Sequence, residues 1–261
     1  MNAGGPQFDG RPPRKNLGGS MNRIIRLAAR EGEARAVIED DFHRFRVMVR
    51  HDGHTVTGAR SFTFRSPYTL CAAADGRLDE LIGQPVTSAL PVLTRDIDAR
   101  QQCTHQFDLA CLAIAMAARG PGSRTYHARV DDSEDNRYRA RLDRDGVEVL
   151  AWDMDGETIA GPEPFAARSI HGGFTAFVAQ TLSGDEAEAA LILRRAVFIS
   201  AARGVDEWTD SLPHALKTGG CWVQQPERYQ KALRNKGTTL DFSGRTDRLT
   251  ADDSNWIAFR E

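Results

Sequence analysis

The stretch Arg100-Gln-Gln-Cys-Thr-His-Gln-Phe-Asp-Leu-Ala-Cys-Leu-Ala-Ile-Ala-Met-Ala-Ala118 carries the clearest helical pattern in the chain. Its apolar positions recur at spacings of four, three and four, at Phe107, Cys111, Ile114 and Ala118. Such a stripe is typical of a helix packed on a core. Thr104 occupies the expected N-cap, and Gly120 with Pro121 ends the pattern. We therefore predict a central helix that begins at Thr104 and ends before Gly120.

Residues that can do chemistry gather at the start of this helix: Cys103, Thr104 and His105. The free N–H groups and the helix dipole at this end favour negative charge, so a thiol ionises more easily and an imidazole stays neutral. The pattern favours His105 as a general acid or base, with Asp108 to orient its ring. Two alternatives stay open, namely that Cys103 is a nucleophile or that His105 only caps the helix.

The composition is that of an ordinary globular protein, with 41% hydrophobic and 27% charged residues in 261. A net charge of -2 gives no electrostatic reason to expect nucleic acid or an anionic membrane as a partner. Four dispersed cysteines do not make a disulfide scaffold, and the start lacks a secretory signal pattern. We expect a cytoplasmic protein with reduced thiols. Its oligomeric state stays open, with a homo-oligomer as one option.

Strand and helix signals alternate irregularly on either side of the central helix. Period-two alternation over 43–49, the turn signal Asp52-Gly53 and a second strand over 55–64 predict a hairpin. After the helix, a meander over 125–160 is followed by a capping box, which opens a second helix over 183–201.

This order of segments argues for the α+β class, because regular strand–helix–strand units are missing. We predict one or more antiparallel sheets, built from two hairpin or meander units and packed on two main helices. Residues 1–20 are rich in Gly, Pro and Asn, which predicts a disordered lead-in. A single domain then covers residues 21–261, with a weaker pattern from 205 onward.

Further candidate site residues flank the predicted strands. His43 points inward with the apolar positions of its strand, either as a second proton-transfer group or as a satisfied core histidine. Arg65 and Tyr68 follow the second strand and are suited to bind a carboxylate or phenolate, unless Arg65 only braces its turn. His171 and Gly172 lie in a Gly-rich turn whose backbone N–H groups can approach a substrate.

A metal site is a further hypothesis, since Cys71, Cys103 and His105 offer ligands of the kind that zinc prefers. Only one close Cys/His pair exists, and its spacing is not that of typical structural zinc sites. The chain also lacks the Gly-x-Gly-x-x-Gly and Gly-Lys-Ser/Thr patterns of nucleotide-binding loops. We therefore expect neither a metal nor another cofactor.

An ordered set of motifs resembles a bacterial domain family of uncharacterised function, over roughly residues 35 to 240. The motifs are Asp41-Phe-His-Arg-Phe-Arg-Val47, Arg65-Ser-Pro-Tyr-Thr-Leu-Cys71, Leu81-Ile-Gly83, Cys103-Thr-His-Gln-Phe-Asp108, Phe198-Ile-Ser-Ala-Ala-Arg-Gly204 and a tail from Gln225 to Asn235. The resemblance implies no established reaction. It does imply occurrence in bacteria that degrade aromatic and lignin-like compounds, and hence a role in small-molecule catabolism.

The leading hypothesis is a cofactor-independent carbon–carbon lyase of the retro-aldol or deformylation type, acting on a small aromatic catabolite. His105 would be the base, Asp108 its orienting group, and Arg65 and Tyr68 the substrate binders. Such a reaction needs proton transfer and an anion holder but no redox group. The alternatives are a non-catalytic protein that binds a small ligand, and a zinc-dependent hydrolase or lyase.

Overall fold

The computed structural model describes residues 18–93, 97–133, 135–203 and 213–260. Of the predicted lead-in, residues 1–17 lie outside this range, and Ser20 already begins the first strand. Nine strands are present in the described part of the chain: β1 (Ser20–Arg30), β2 (Glu33–Glu39), β3 (Arg44–His51), β4 (Val56–Arg65), β5 (Gly122–Asp131), β6 (Arg137–Arg144), β7 (Val147–Asp155), β8 (Thr158–Gly161) and β9 (Arg168–Ser169).

These strands form one antiparallel sheet in the order β4-β3-β2-β1-β5-β6-β7-β8-β9. Two meanders meet at its centre, where β1 pairs with β5 and Ile25 lies opposite Tyr126. The hairpin between β6 and β7 turns at Asp145 and Gly146, which both have positive φ, as a two-residue type I′ turn requires. The predicted α+β class with an antiparallel sheet is therefore confirmed.

The α-helices in the described residues are α1 (Leu90–Leu93), α2 (Thr104–Ala118), α3 (Phe174–Thr181), α4 (Gly184–Ser200) and α5 (Ser254–Ile257). Short 3-10 helices occupy Cys71–Leu81, Ala99–Gln101, Trp222–Gln224, Thr246–Arg248 and Ala251–Asp253. Within the described ranges, no helix combines the length and the apolar character that crossing a bilayer requires.

One face of the sheet is covered by the two longest of these helices, α2 over β1 to β3 and α4 over β5 to β7. The C-terminal segment covers part of the other face, where Ile257 packs on Ala28 and Val37. On that side the guanidinium of Arg35 stacks on the ring of Trp256, 5.0 Å from its centroid. The first meander is therefore covered on both faces.

Helix α2 is buried on nearly every side rather than along one stripe. Leu109, Ala113 and Met116 are as inaccessible as Phe107, whereas Ala118 at the end is exposed. The reason is that the sheet lies on one side of this helix, while α1 and the 3-10 helices Cys71–Leu81 and Ala99–Gln101 pack against its other sides. Its N-cap is Cys103 rather than Thr104.

Candidate functional site

Two adjoining cavities lie where the start of α2 approaches α4. The larger one measures about 570 Å³ and is lined by His43, Tyr68, Cys103 and Trp222, among others. The smaller one measures about 190 Å³ and has mostly apolar walls, including Ile38, Phe107 and Leu112. Five residues line both cavities: Ala99, His105, Thr175, Arg194 and Arg195. The predicted site residues His43, His105, Cys103 and Tyr68 therefore meet at one place in the fold.

A buried ion pair holds His43 in position. Asp40 follows β2, is fully buried, and receives the backbone N–H groups of Phe42 and His43 on Oδ1, each at 2.8 Å. The same oxygen lies 3.1 Å from His43 Nδ1. The other oxygen, Oδ2, accepts from Nε of Arg23 at 2.8 Å and from its Nη2. Arg23 projects from β1 into the layer below α2, so the network is rooted in the sheet.

The charges of this network define the tautomer of His43. Arg23 and His43 hold the pKa of Asp40 well below its usual range against the opposing effect of its burial, so Asp40 is ionised and can only accept hydrogen bonds. The proton of a neutral His43 therefore lies on Nδ1, and Nε2 carries the free electron pair. Burial lowers the pKa of His43, although Asp40 opposes this effect, so the ring is neutral at pH 7.

His105 stacks on His43, with ring centroids 3.8 Å apart and planes inclined by 26°. Its Nε2 is buried and has no hydrogen-bond partner among the described residues. Burial, and next the neighbouring His43, lower the pKa of His105 well below its ordinary value. The neutral imidazole predicted at this helix start is thus present, but burial is the main cause. Two rings at this distance accept one proton between them, because like charges repel.

The structure pairs Asp108 with an arginine and not with His105. Its Oδ2 accepts a hydrogen bond of 2.7 Å from Nε of Arg195 on α4. Among the described residues, no hydrogen bond joins Asp108 to His105. Asp108 lies three residues after His105 on α2, and its side chain is 41% exposed. The carboxylate that orients a histidine is Asp40, and the histidine is His43.

Arg65 braces the turn that carries His43 and does not line either of the two cavities. Its guanidinium donates to the carbonyl oxygens of Asp41 at 2.7 Å and of Asp40 at 2.5 Å, and lies 3.2 Å from Glu39 Oε1. Arg65 is thus a positioning residue, and its predicted role in binding substrate is not supported by its contacts. Tyr68 does line the larger cavity, where burial raises the pKa of its phenol.

The prediction that the helix start lowers the pKa of the Cys103 thiol is wrong. Burial raises the pKa of this thiol well above its ordinary value, and the helix start does not compensate. Cys71 also lines the larger cavity, and burial raises its pKa to about 12. Both thiols are therefore protonated at pH 7. Within the described ranges, no three His, Cys, Asp or Glu side chains are placed to hold a metal ion.

His171 and Gly172 line neither of these cavities and lie in the loop that precedes α3. The ring of His171 packs edge-on against Phe198, with centroids 5.6 Å apart, and its Nε2 lies 2.8 Å from Glu157 Oε2. Gly172 is exposed, and Gly173 with a positive φ of 85° forms the N-cap of α3. This turn starts a helix and does not contribute to the candidate site.

Four charged residues of the site were missed by sequence reasoning: Arg23, Asp40, Arg194 and Arg195. Each had a signal, because each interrupts a buried apolar pattern. Arg23 occupies an inward position of β1, and Asp40 directly follows β2, two residues after the apolar run 36–38. A charge in such a position is rarely left unpaired, so it marks either a buried ion pair or a ligand site.

Replacing His105 by Gln is expected to make the protein less sensitive to acid. The unfolded chain binds a proton on His105 below about pH 6.5, whereas the folded protein keeps the ring neutral, so wild-type stability falls as the pH falls through this range. At about pH 5 this effect lowers the free energy of unfolding of the wild type by up to about 2 kcal/mol, whereas His105→Gln is not subject to it. Urea unfolding of both proteins at about pH 7.5 and pH 5 measures this, and equal losses would contradict it.

Comparisons with protein families and with curated proteins found no relative of this chain. No family model matches the chain, and no curated protein matches it. The resemblance to a bacterial domain family therefore rests on the quoted motifs alone, and the candidate site rests on its own geometry.

Proposed function

We propose that this chain is an enzyme that cleaves a carbon–carbon bond of a small aromatic substrate by proton transfer, with His43 as the base. The observation that carries the proposal is the Arg23–Asp40–His43 network at the wall of a cavity of about 570 Å³. A buried carboxylate that fixes the Nδ1–H tautomer of a histidine leaves Nε2 as a base of defined orientation. The role first assigned to His105 passes to His43, because Asp40 orients the ring of His43, whereas no carboxylate of the described residues is hydrogen-bonded to His105.

The reaction class is a retro-aldol cleavage, which these groups can perform without a redox step. His43 Nε2 takes the proton from a hydroxyl group of the substrate. The C–O bond becomes the carbonyl of the released aldehyde as the adjacent C–C bond breaks. The electron pair of that bond passes to the carbon next to a carbonyl group and forms an enolate. The imidazolium of His43 then returns its proton to this carbon, which restores the base.

The neutral ring of His105 supports the role of His43 as the base. Because His105 stacks on His43 at 3.8 Å, protonation of His43 disfavours a second charge on His105. The imidazolium formed during the reaction is stabilised by the ionised Asp40 and destabilised by Arg23 and Arg65 nearby. It therefore returns its proton readily, as a general acid in the second step must.

The shape of the site favours an aromatic substrate. A cavity of about 150 Å³ with Leu, Ile and Phe walls is large enough for benzene. The smaller cavity, of about 190 Å³ and with mostly apolar walls, is therefore suited to one aromatic ring. The larger cavity beside it places His43 within reach of the ring substituents.

The experiment is a substrate panel of aromatic β-hydroxy carbonyl compounds, with the released aldehyde quantified after incubation with the purified protein. In D2O the second product is expected to gain one deuterium at the cleaved carbon, since the enolate is protonated from solvent-exchanged His43. Panel members that raise the thermal stability but release no aldehyde would instead indicate a non-catalytic binding protein. Aldehyde release without deuterium at that carbon would contradict the proposed proton return.

A further inference from the structure

Two adjacent arginines of α4 lie at the junction of the cavities. Arg194 donates from Nε to the carbonyl oxygen of Ile170 at 2.5 Å, and its guanidinium lies 5.9 Å from the ring centroid of Phe174. Arg195 donates from Nε to Asp108 Oδ2 at 2.7 Å. Among the described residues, the terminal nitrogens of both guanidinium groups have no hydrogen-bond partner. These nitrogens are donors available to a ligand.

Among the described residues, the charges at this junction do not balance. Arg23 is neutralised by Asp40, with which it forms a buried ion pair. Asp108 is the carboxylate paired with Arg195, and no carboxylate of the described residues forms an ion pair with Arg194. Burial, and next the charge of Arg195, lower the pKa of Arg194, and the charge of Asp108 opposes these effects only in part. A half-buried guanidinium whose charge is compensated only in part is stabilised when a ligand supplies further negative charge.

We propose that Arg194 and Arg195 form an anion subsite that holds the carboxylate of an aromatic acid at the junction of the two cavities. As a subsite for a substrate, this inference rests on the proposed function. Carboxylate is favoured because the planar guanidinium fork matches its two oxygens. The ring attached to it then occupies the smaller apolar cavity, which Arg194 and Arg195 also line.

The anion subsite determines where the reacting bond of the substrate lies relative to His43. Both arginines also line the larger cavity that contains His43, so a ring substituent next to a carboxylate held by them can extend into that cavity. An anchor of this kind contributes to catalysis by fixing the orientation of the substrate. The two arginines are expected to determine which aromatic compounds bind, while His43 determines whether they react.

The test uses 4-fluorobenzoate and 4-fluorobenzyl alcohol as probes, with binding to the full-length protein followed by 19F NMR. The two probes differ in charge but have nearly the same size. We expect the wild type to bind the carboxylate at least about 10-fold more tightly than the alcohol, the scale of a hydrogen bond to a charged group. In Arg194→Gln this preference is expected to disappear, whereas the matched control Arg139→Gln, an exposed arginine of β6, keeps it.

A second variant guards against a loss of fold in Arg194→Gln. Asp108→Asn removes the carboxylate that competes for Arg195, and it is expected to tighten the binding of 4-fluorobenzoate and leave the alcohol unchanged. Equal affinity for the two probes in the wild type, or an unchanged preference in a folded Arg194→Gln protein, would overturn the subsite. Neither readout requires turnover. If the carboxylate preference is found but the substrate panel gives no aldehyde, the anion subsite stands and the proposed reaction fails.

Discussion

Replacement of His43 by Gln is expected to lower turnover by about 100-fold or more, the scale of general acid–base catalysis. Gln keeps a polar side chain of similar size but has no basic nitrogen to take the hydroxyl proton. The affinity for 4-fluorobenzoate should change little, because the arginines of the anion subsite are left intact. Aldehyde release from a reactive panel member measures the turnover, and 19F NMR measures the affinity.

A matched control is available in His127, a partly buried histidine of β5. Its Nε2 lies 2.9 Å from Asn22 Oδ1, and it lines neither of the two cavities. His127→Gln is therefore expected to keep the wild-type turnover. If His43→Gln retained more than about a tenth of the wild-type rate, His43 would not be the base. If His127→Gln lost as much activity as His43→Gln, the loss would reflect a general disturbance of the fold.

Replacement of Asp40 by Ala is expected to lower the free energy of unfolding by about 3–5 kcal/mol, the usual effect of removing one partner from a buried ion pair. Arg23 has 1% of its side chain exposed and Asp40 has none. The substitution leaves a buried guanidinium without its counter-ion and removes the acceptor of two backbone N–H groups in the turn before β3. Urea denaturation at neutral pH measures the change.

The control for this experiment is Asp252, whose carboxylate is 81% exposed and lies 3.2 Å from Arg44. Asp252→Ala removes a surface ion pair, which is worth at most about 1 kcal/mol. A larger loss of unfolding free energy in Asp40→Ala than in Asp252→Ala would show that the buried network stabilises the fold more than a surface ion pair does. Similar losses for both variants, or a loss below about 1 kcal/mol for Asp40→Ala, would show that the network does not stabilise the fold.

The local patterns of the sequence predicted the hairpin of β3 and β4, the second meander and the helices α2 and α4. They did not predict β1 and β2. In β2, for example, Ala36, Val37 and Ile38 are all buried, because α2 covers one face of this strand and the C-terminal segment covers the other. A strand covered on both faces has no polar alternation and therefore lacks the period-two signal.

The candidate site could be predicted in part. His43, His105 and Tyr68 were named as site residues, and the structure brings them to one cavity. The ion pairs Arg23–Asp40 and Arg195–Asp108 could not be predicted, since the two partners of each pair come from different elements of the fold. The prediction that Asp108 orients His105 assumed that neighbours on a helix pair with each other. In the structure, the carboxylate of Asp108 pairs instead with an arginine of α4.

The proposed catalysis depends on Asp40, which fixes the proton of His43 on Nδ1 and leaves Nε2 free as a base. Two-bond 1H–15N correlation NMR of the imidazole groups at neutral pH, assigned with His43→Gln, reports the state of each ring nitrogen directly. We expect a neutral His43 with Nδ1 protonated and Nε2 unprotonated, and a loss of this tautomer preference in Asp40→Asn. A proton on Nε2, or a fully protonated imidazolium, in the free wild-type protein would show that His43 Nε2 is not a free base.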